Sequence, residues 1–271
     1  MADMYCSDSP ENQGSEVITY NVTDAVATAT IDDPERRNPL SIETMGELTD
    51  AMRRAGVDDD VRVIVLTGAG DRAFSAGGDL SGGFVDSPLP DHQSRAVLAD
   101  LFRSMRTNPK PIIGRINGVA LGGGFGVAAA CDITIASENA RFGTPEINLG
   151  LWPMMISTVL LPLAPRKKLL EMMLIGKVID ATEAQELGIV TLVVPSDGLD
   201  AAVGEIVDQL RGKSPAALAL GKSSFYAMEG MDFDTALDHL HIGLTAVSFT
   251  EDATEGVQAF LEKRKPNWRG R

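Results

Sequence analysis

This sequence predicts an α/β fold, on three observations. Apolar, β-rich runs alternate with helically spaced segments over roughly the first 150 residues. One run, "VRVIVLTGAG", is apolar at consecutive positions and ends in turn residues, the look of a strand covered on both faces in a parallel sheet. The remainder, from "RKKLLEMMLIG" onward, is mostly helical apart from "IVTLVVP". With 271 residues, 44% of them hydrophobic, the chain can bury a substantial core as one large domain or one domain with a small appendage. No linker, internal repeat or low-complexity block divides it.

In chain order, residues 1–15, "MADMYCSDSPENQGS", read as a disordered polar tail without the apolar core of a signal peptide. "EVITYNV" and "VATATI" alternate around the turn "TDA", which predicts a hairpin over Val17 to Ile31. "SIETMGELTDAMRRAG" predicts a helix capped by Ser41, with Glu43 and Thr44 behind it, Ile42, Met45, Leu48 and Met52 at helical spacing, and its end at Gly56. The buried strand follows, then "DRAFSAGGDLSGGF" and a polar loop up to about His92. Val97 to Met105 reads as a second helix, "KPIIGRING" as a strand, the triplet Gly122–Gly124 as the opening of a third helix, and "DITIAS" as another strand. The most apolar stretch, Leu149 to Pro165, is shorter than the ~20 residues of a membrane span and is broken by Pro153, Pro162 and Pro165, so it reads as buried protein.

The net charge of −14 argues against nucleic acid or an anionic membrane as a partner, since both need a basic face. Only Cys6 and Cys131 are present, which disfavours a disulfide framework or thiolate metal site and fits a reducing cytoplasm. No His or Cys pair stands at metal-ligand spacing, so no metal site is expected. "GAGDRA", Gly68 to Ala73, matches a dinucleotide-binding fingerprint in letters, but four more glycines follow and no helix can continue from it; an ordinary strand-end turn is the alternative. Ser75 has no recognisable base near it in sequence, His92 lies in the expected loop, and His239 and His241 fall in a C-terminal helix, so a serine hydrolase is not expected.

Two features point toward chemistry. Three adjacent glycines, Gly122 to Gly124, cost backbone entropy unless something approaches the main chain so closely that a Cβ would be in the way. Glu146 follows Thr144 and Pro145 in "TPEINLG"; taken alone, that is a helix start with an acid in its first turn.

Four segments in order, "AFSAGGDL", "INGVALGGGFGVAAACDITIAS", "RFGTPEINLGL" and "EGVQAFLEKRKPNW", resemble the signatures of the crotonase, or enoyl-CoA hydratase/isomerase, superfamily. "ERRNPLS" resembles the segment that lines that family's coenzyme A pocket, so the likeness covers nearly the whole chain after the tail. The resemblance implies a crotonase (ClpP-like) fold: a spiral of ββα units over residues 16–200, then a helical trimerisation region over 201–271. It implies stabilisation of an acyl-CoA thioester enolate by two backbone N–H groups, those of Gly78 and Gly123, with Glu146 as acid/base. Gly123 would open a helix, where unpaired N–H groups meet developing negative charge.

The same likeness places Arg36, Arg37, Leu40, Ser75, Ala76, Gly77, Asp79, Leu80 and Gly122 around the substrate, and lets Phe260 and Lys263 reach the cofactor of a neighbouring subunit; helix packing and a solvated face are the alternatives for these last two. Coenzyme A is then part of the substrate, no permanently bound cofactor is expected, and the assembly is a homotrimer or a dimer of trimers. Where the family usually has alanine, this chain has Gly78, and where its hydratases carry a second glutamate, it has Gly126. Paired carboxylates share the work of hydration, whereas one base suffices to move a double bond. Enoyl-CoA hydratase is the expected activity, with a single-base double-bond isomerase or a catalytically weak acyl-CoA-binding protein as alternatives. Gly126→Glu should raise hydration if the backbone tolerates a side chain. Trp152, Met154 and Met155 could line an acyl pocket or simply pack in the core.

Overall fold

A computed structural model describes residues 17–79 and 88–271; the polar tail 1–15, Cys6 and Leu80 lie outside them. The chain opens with the expected hairpin, β1 (Ile18–Thr23) and β2 (Val26–Ile31), paired antiparallel. Asp24 and Ala25 both have positive φ, the two-residue turn whose twist matches that of the flanking strands. β3 (Pro39–Leu40) leads into α1 (Ile42–Val57), where the Ser41 side chain accepts from the Thr44 N–H as an N-cap. α1 runs one residue past Gly56, the position that lets it approach Asn108, whose Nδ2 donates to the Met52 carbonyl at 2.7 Å.

β4 (Val63–Gly68), β5 (Ala73–Ser75) and β6 (Gly77–Gly78) follow, then α2 (Pro88–Thr107). α2 begins earlier than the sequence suggests, and His92 lies in it rather than in a loop; prolines at 88 and 90 are tolerated because first-turn N–H groups have no partner in the helix. "GAGDRA" runs straight into β5, so no helix faces a pyrophosphate there. Next come β7 (Ile112–Ile116), β8 (Val119–Leu121), α3 (Gly123–Ala129), β9 (Ile133–Ser137) and β10 (Arg141–Gly143). After a 3-10 turn at Pro145–Leu149 come α4 (Ser157–Leu160), α5 (Arg166–Ile175), β11 (Val178–Asp180), α6 (Ala181–Glu186), β12 (Leu192–Val194), α7 (Leu199–Arg211), α8 (Pro215–Ala227), α9 (Phe233–Ser248) and α10 (Glu251–Glu262).

The larger sheet has the order β1-β2-β4-β7-β9-β12 and is parallel from β2 onward; the smaller has the order β11-β10-β8-β5, and β3 pairs with β6. Each turn of the chain therefore lays one strand in the larger sheet and the next in a smaller one before a helix returns: β2, β3, α1; then β4, β5, α2; then β7, β8, α3. β4 is buried along its whole length because both faces are covered. Ile64 and Leu66 join Leu48, Met52, Leu101 and Met105 in the main core, while Val63 and Val65 pack on Leu199, Val203 and Val207 of α7, as the two-residue period of a strand requires.

One expectation fails here. The stretch Leu149 to Pro165 is buried only at Pro153, Ile156, Leu160 and Ala164; Leu149, Met154, Leu161 and Leu163 are exposed, because α4 is a single turn and presents only one side inward. Trp152 is half-buried against the main core. The C-terminal helices also carry apolar side chains outward, among them Phe233 (75% exposed), Phe249 (85%) and Phe260 (81%). α8 is tied to the sheet through Asp132, which accepts from Lys222 Nζ (2.6 Å), the Tyr226 hydroxyl (2.8 Å) and the Ile112 N–H (2.7 Å). Among the described residues no helix is long and apolar enough to cross a membrane.

Candidate active site

Residues 37–40 and 76–79 run side by side. Ala76 N–H donates to the Arg37 carbonyl (2.9 Å), Asp79 N–H to the Leu40 carbonyl (3.0 Å), and Gly77 N–H to Ser75 Oγ (3.2 Å). None of these contacts takes the amide of Gly78, which faces α3: a Cβ built on Gly123 would lie 3.8 Å from Gly78 N and 3.4 Å from Leu40 Cδ1. Asn38 holds the segment in place. Fully buried, it donates through Nδ2 to the carbonyls of Ala69 (3.0 Å) and Ala73 (2.8 Å) and accepts at Oδ1 from Asp33 N–H (3.0 Å).

Each glycine of the triplet meets a different neighbour. Gly122 has φ +50, and a Cβ there would sit 3.1 Å from Glu146 Oε1; Gly123 faces the Gly78 amide; a Cβ on Gly124 would strike the Ser75 carbonyl at 2.5 Å. Gly77, φ +103, is likewise required, since a Cβ would lie 2.8 Å from the Leu121 carbonyl, whereas Gly78 has open space. Gly123 opens α3, so its N–H has no partner within the helix.

Glu146 stands in the 3-10 turn that follows β10. Pro145 does open a helical element with Glu146 in its first turn, a 3-10 turn that aims the acid at the glycine triplet, but Thr144 makes no side-chain cap and its buried hydroxyl has no partner among the described residues. Glu146 is half-buried and its Oε2 has no hydrogen-bond partner among the described residues. Burial pushes its carboxyl above the ordinary range, only partly offset by a backbone hydrogen bond. A carboxyl that holds its proton more readily than usual, set beside Gly122 at the start of the glycine triplet, is suited to moving protons.

The other expected site residues divide into two groups. Leu40, Ala76, Gly77 and Asp79 surround the amides. Ser75 is fully buried and braces the loop through Gly77. The Arg36 guanidinium pairs with Asp79 (2.5 Å) and more loosely with Asp33 (3.5 Å), while Arg37 is exposed in a left-handed conformation. Phe260 and Lys263, at the end of α10, are exposed and make no described contact with Gly78, Gly123 or Glu146 of the same chain. Gly126 is buried, and a Cβ there would lie 2.4 Å from Ile156 Cγ2 and 3.0 Å from Phe102 Cζ; the helical backbone would accept a side chain, but the packing of Ile156 obstructs it, so Gly126→Glu needs Ile156 to give way. Sequence reasoning missed Asn38 and Ile156; the unusual Asn-Pro junction was the only local hint of the first. Among the described residues no group of three or more His, Cys, Asp or Glu could hold a metal ion.

The model of the Enoyl-CoA hydratase/isomerase family matches residues 21–271. The chain belongs to that family. It is 34% identical over 256 residues to crotonyl-CoA hydratase of Syntrophomonas wolfei, covering 93% of this chain and 98% of that one. It is also 34% identical over 257 residues to (E)-benzylidenesuccinyl-CoA hydratase of Thauera aromatica, covering 93% and 99%. The crystal structure of an enoyl-CoA hydratase from Mycobacterium smegmatis superposes with TM-score 0.89 at 31% identity, covering 93% of this chain and 98% of that one. The enoyl-CoA hydratase/isomerase family member described here thus has the crotonase fold expected from its motifs, with the ββα spiral and the helical C-terminal region.

Proposed function

We propose that this enzyme binds an enoyl-CoA thioester with its carbonyl oxygen between the amides of Gly78 and Gly123 and uses Glu146 to move protons at the adjacent carbons. The convergence of these three groups from β6, α3 and the 3-10 turn carries the reading. Two main-chain donors fixed before substrate arrives stabilise the charge that develops on the thioester oxygen without reorganising, a term worth ~10²–10³ in turnover per donor. The enolate so formed is basic at its α-carbon, and Glu146, whose carboxyl burial pushes above the ordinary range, delivers or withdraws the proton there.

Hydration of a 2-enoyl-CoA is the reading that the names of relatives support, crotonyl-CoA hydratase and short-chain-enoyl-CoA hydratase among them. Migration of a double bond is the reading that the residues of the site support, because Gly126 leaves no acid on that face of α3. Coenzyme A arrives with the substrate. Arg37, and Arg36 once it exchanges Asp79 for phosphate, lie beside the loop its phosphates would follow. The exposed apolar faces of α8, α9 and α10 support a homotrimer or a dimer of trimers in which Phe260 and Lys263 of one subunit approach the cofactor of the next, and the composition supports a cytoplasmic location. A monomer by light scattering at micromolar concentration would remove the contribution in trans.

The decisive experiment is Glu146→Gln, which keeps shape and removes the base. Crotonyl-CoA and 3-hexenoyl-CoA are followed through the absorbance of the conjugated thioester. Both activities should fall by ~10²–10⁴, the usual worth of a positioned general base. Activity that survives in a folded variant means another group is the base.

A further inference from the structure

Gly126 lies one helical turn beyond Gly122: its N–H donates to the Gly122 carbonyl at 3.1 Å, so the two share a face of α3. Gly122 is the residue over which the Glu146 carboxylate sits. The next place on that face is filled from outside the helix. Ile156, 3% exposed, presses Cγ2 and Cβ to 2.4 and 2.8 Å of where a Gly126 Cβ would be, and Phe102 Cζ closes the remaining side at 3.0 Å. The place where a Gly126 side chain would stand, one turn along α3 from Glu146, is therefore taken by hydrocarbon. Asp79, the other carboxylate near the amides, is held by Arg36.

We infer that Ile156 is a specificity-determining residue: packed on Gly126, it bars a second polar group from the face of α3 beside Glu146 and so favours proton transfer within the substrate over addition of water. The inference rests on the assignment of Gly78, Gly123 and Glu146 proposed above. In the favoured reaction Glu146 takes a proton from C2 of a 3-enoyl-CoA, and the C–H electron pair becomes an enolate whose oxygen lies at the two amides. The same carboxyl then protonates C4 as the enolate collapses. A C2–C3 double bond replaces the C3–C4 double bond, the carboxylate is regenerated, and nothing else is consumed. Hydration instead needs a group to hold and deprotonate water while another proton reaches C2, and an isoleucine can do neither.

The test compares kcat/KM for isomerisation of 3-hexenoyl-CoA with that for hydration of crotonyl-CoA. In the wild type isomerisation should lead by tenfold or more. Gly126→Glu with Ile156→Gly removes both clashing atoms while adding an acid, and should raise hydration relative to isomerisation by at least tenfold. Ile156→Ala, which opens the wall without adding an acid, should narrow the ratio by a smaller factor, and Ile156→Val should leave it unchanged. If the double variant fails to fold, the wild-type ratio and the two single variants still decide. Hydration equal to or faster than isomerisation in the wild type, or a ratio indifferent to Ile156→Ala and to the folded double variant, overturns the role of Ile156 while leaving Glu146 in place, provided Glu146→Gln still abolishes turnover. Wild-type turnover that Glu146→Gln does not reduce overturns the underlying site and this role together.

Discussion

Replacing Asp132 by alanine should cost the fold about 3 kcal/mol, the lower end of what breaking a buried ion pair costs. The magnitude follows from its three donors. The Lys222 and Asp132 side chains are 10% and 16% exposed, so the ammonium is largely cut off from water, and the Tyr226 hydroxyl and Ile112 N–H share the same carboxylate. Lys222 keeps the carbonyls of Lys110 (3.0 Å) and Met105 (3.3 Å), which holds the cost below the upper end of the range. For a chain of this size the loss corresponds to a fall of about 6–12 °C in melting temperature, at about 2–4 °C per kcal/mol. Calorimetry at fixed protein concentration reads it. Lys222→Met in the same background should recover part of the loss, because no unpaired charge is then left behind. A fall of less than about 2 °C, or a double variant less stable than Asp132→Ala alone, would refute the reasoning.

Because burial raises the Glu146 carboxyl, the acid limb of the rate profile should lie above the ordinary carboxylate range and vanish in Glu146→Gln. The folded state holds this proton more tightly than the unfolded one, so the stability it contributes is present at low pH and is lost as pH rises through the folded pKa; Glu146→Gln should therefore melt above the wild type at pH 8 and lose that advantage near pH 4. Gly122→Ala should cost about 1–3 kcal/mol for its positive φ and displace Glu146 Oε1, lowering turnover at least tenfold, whereas Gly78→Ala, with nothing within 4 Å, should keep both stability and rate; the reverse order in melting and steady-state assays would sink the geometry of the triplet.

The elements legible in the sequence are those whose signal is local. Ser41, the positive-φ turn at Asp24 and Ala25 and the apolar run of β4 each declare themselves over a few residues, and the glycine triplet and "PEI" announce a close approach and an acid. β8, β10 and β11 are three residues each, too short for any period to show, and the first two exist because they pair with one another in the smaller sheet. The pair Arg36–Asp79 joins residues 43 apart, and nothing in either segment marks the other. Gly126 is the sharpest case. Its letter says only that an acid is missing; that the space is taken by Ile156 is a property of packing between α3 and the chain entering α4, which no spacing encodes.

That division has a physical consequence for how the site can change. In the proposed mechanism the charge-stabilising donors are main-chain amides, placed by the pairing of residues 37–40 with 76–79 and by the turn at Gly122, so most side chains can vary without moving them. A fold held in this way keeps its capacity to form an enolate while the walls around the enolate drift. What happens next to that enolate depends on the few side chains around it, and in the proposed site those are one half-buried glutamate and, one turn along α3, the hydrocarbon packed on Gly126. The site is therefore strong in the step shared by every such reaction and restricted in the step that distinguishes them, and this is why a single isoleucine, far along the chain from both glycines, can bear on the product.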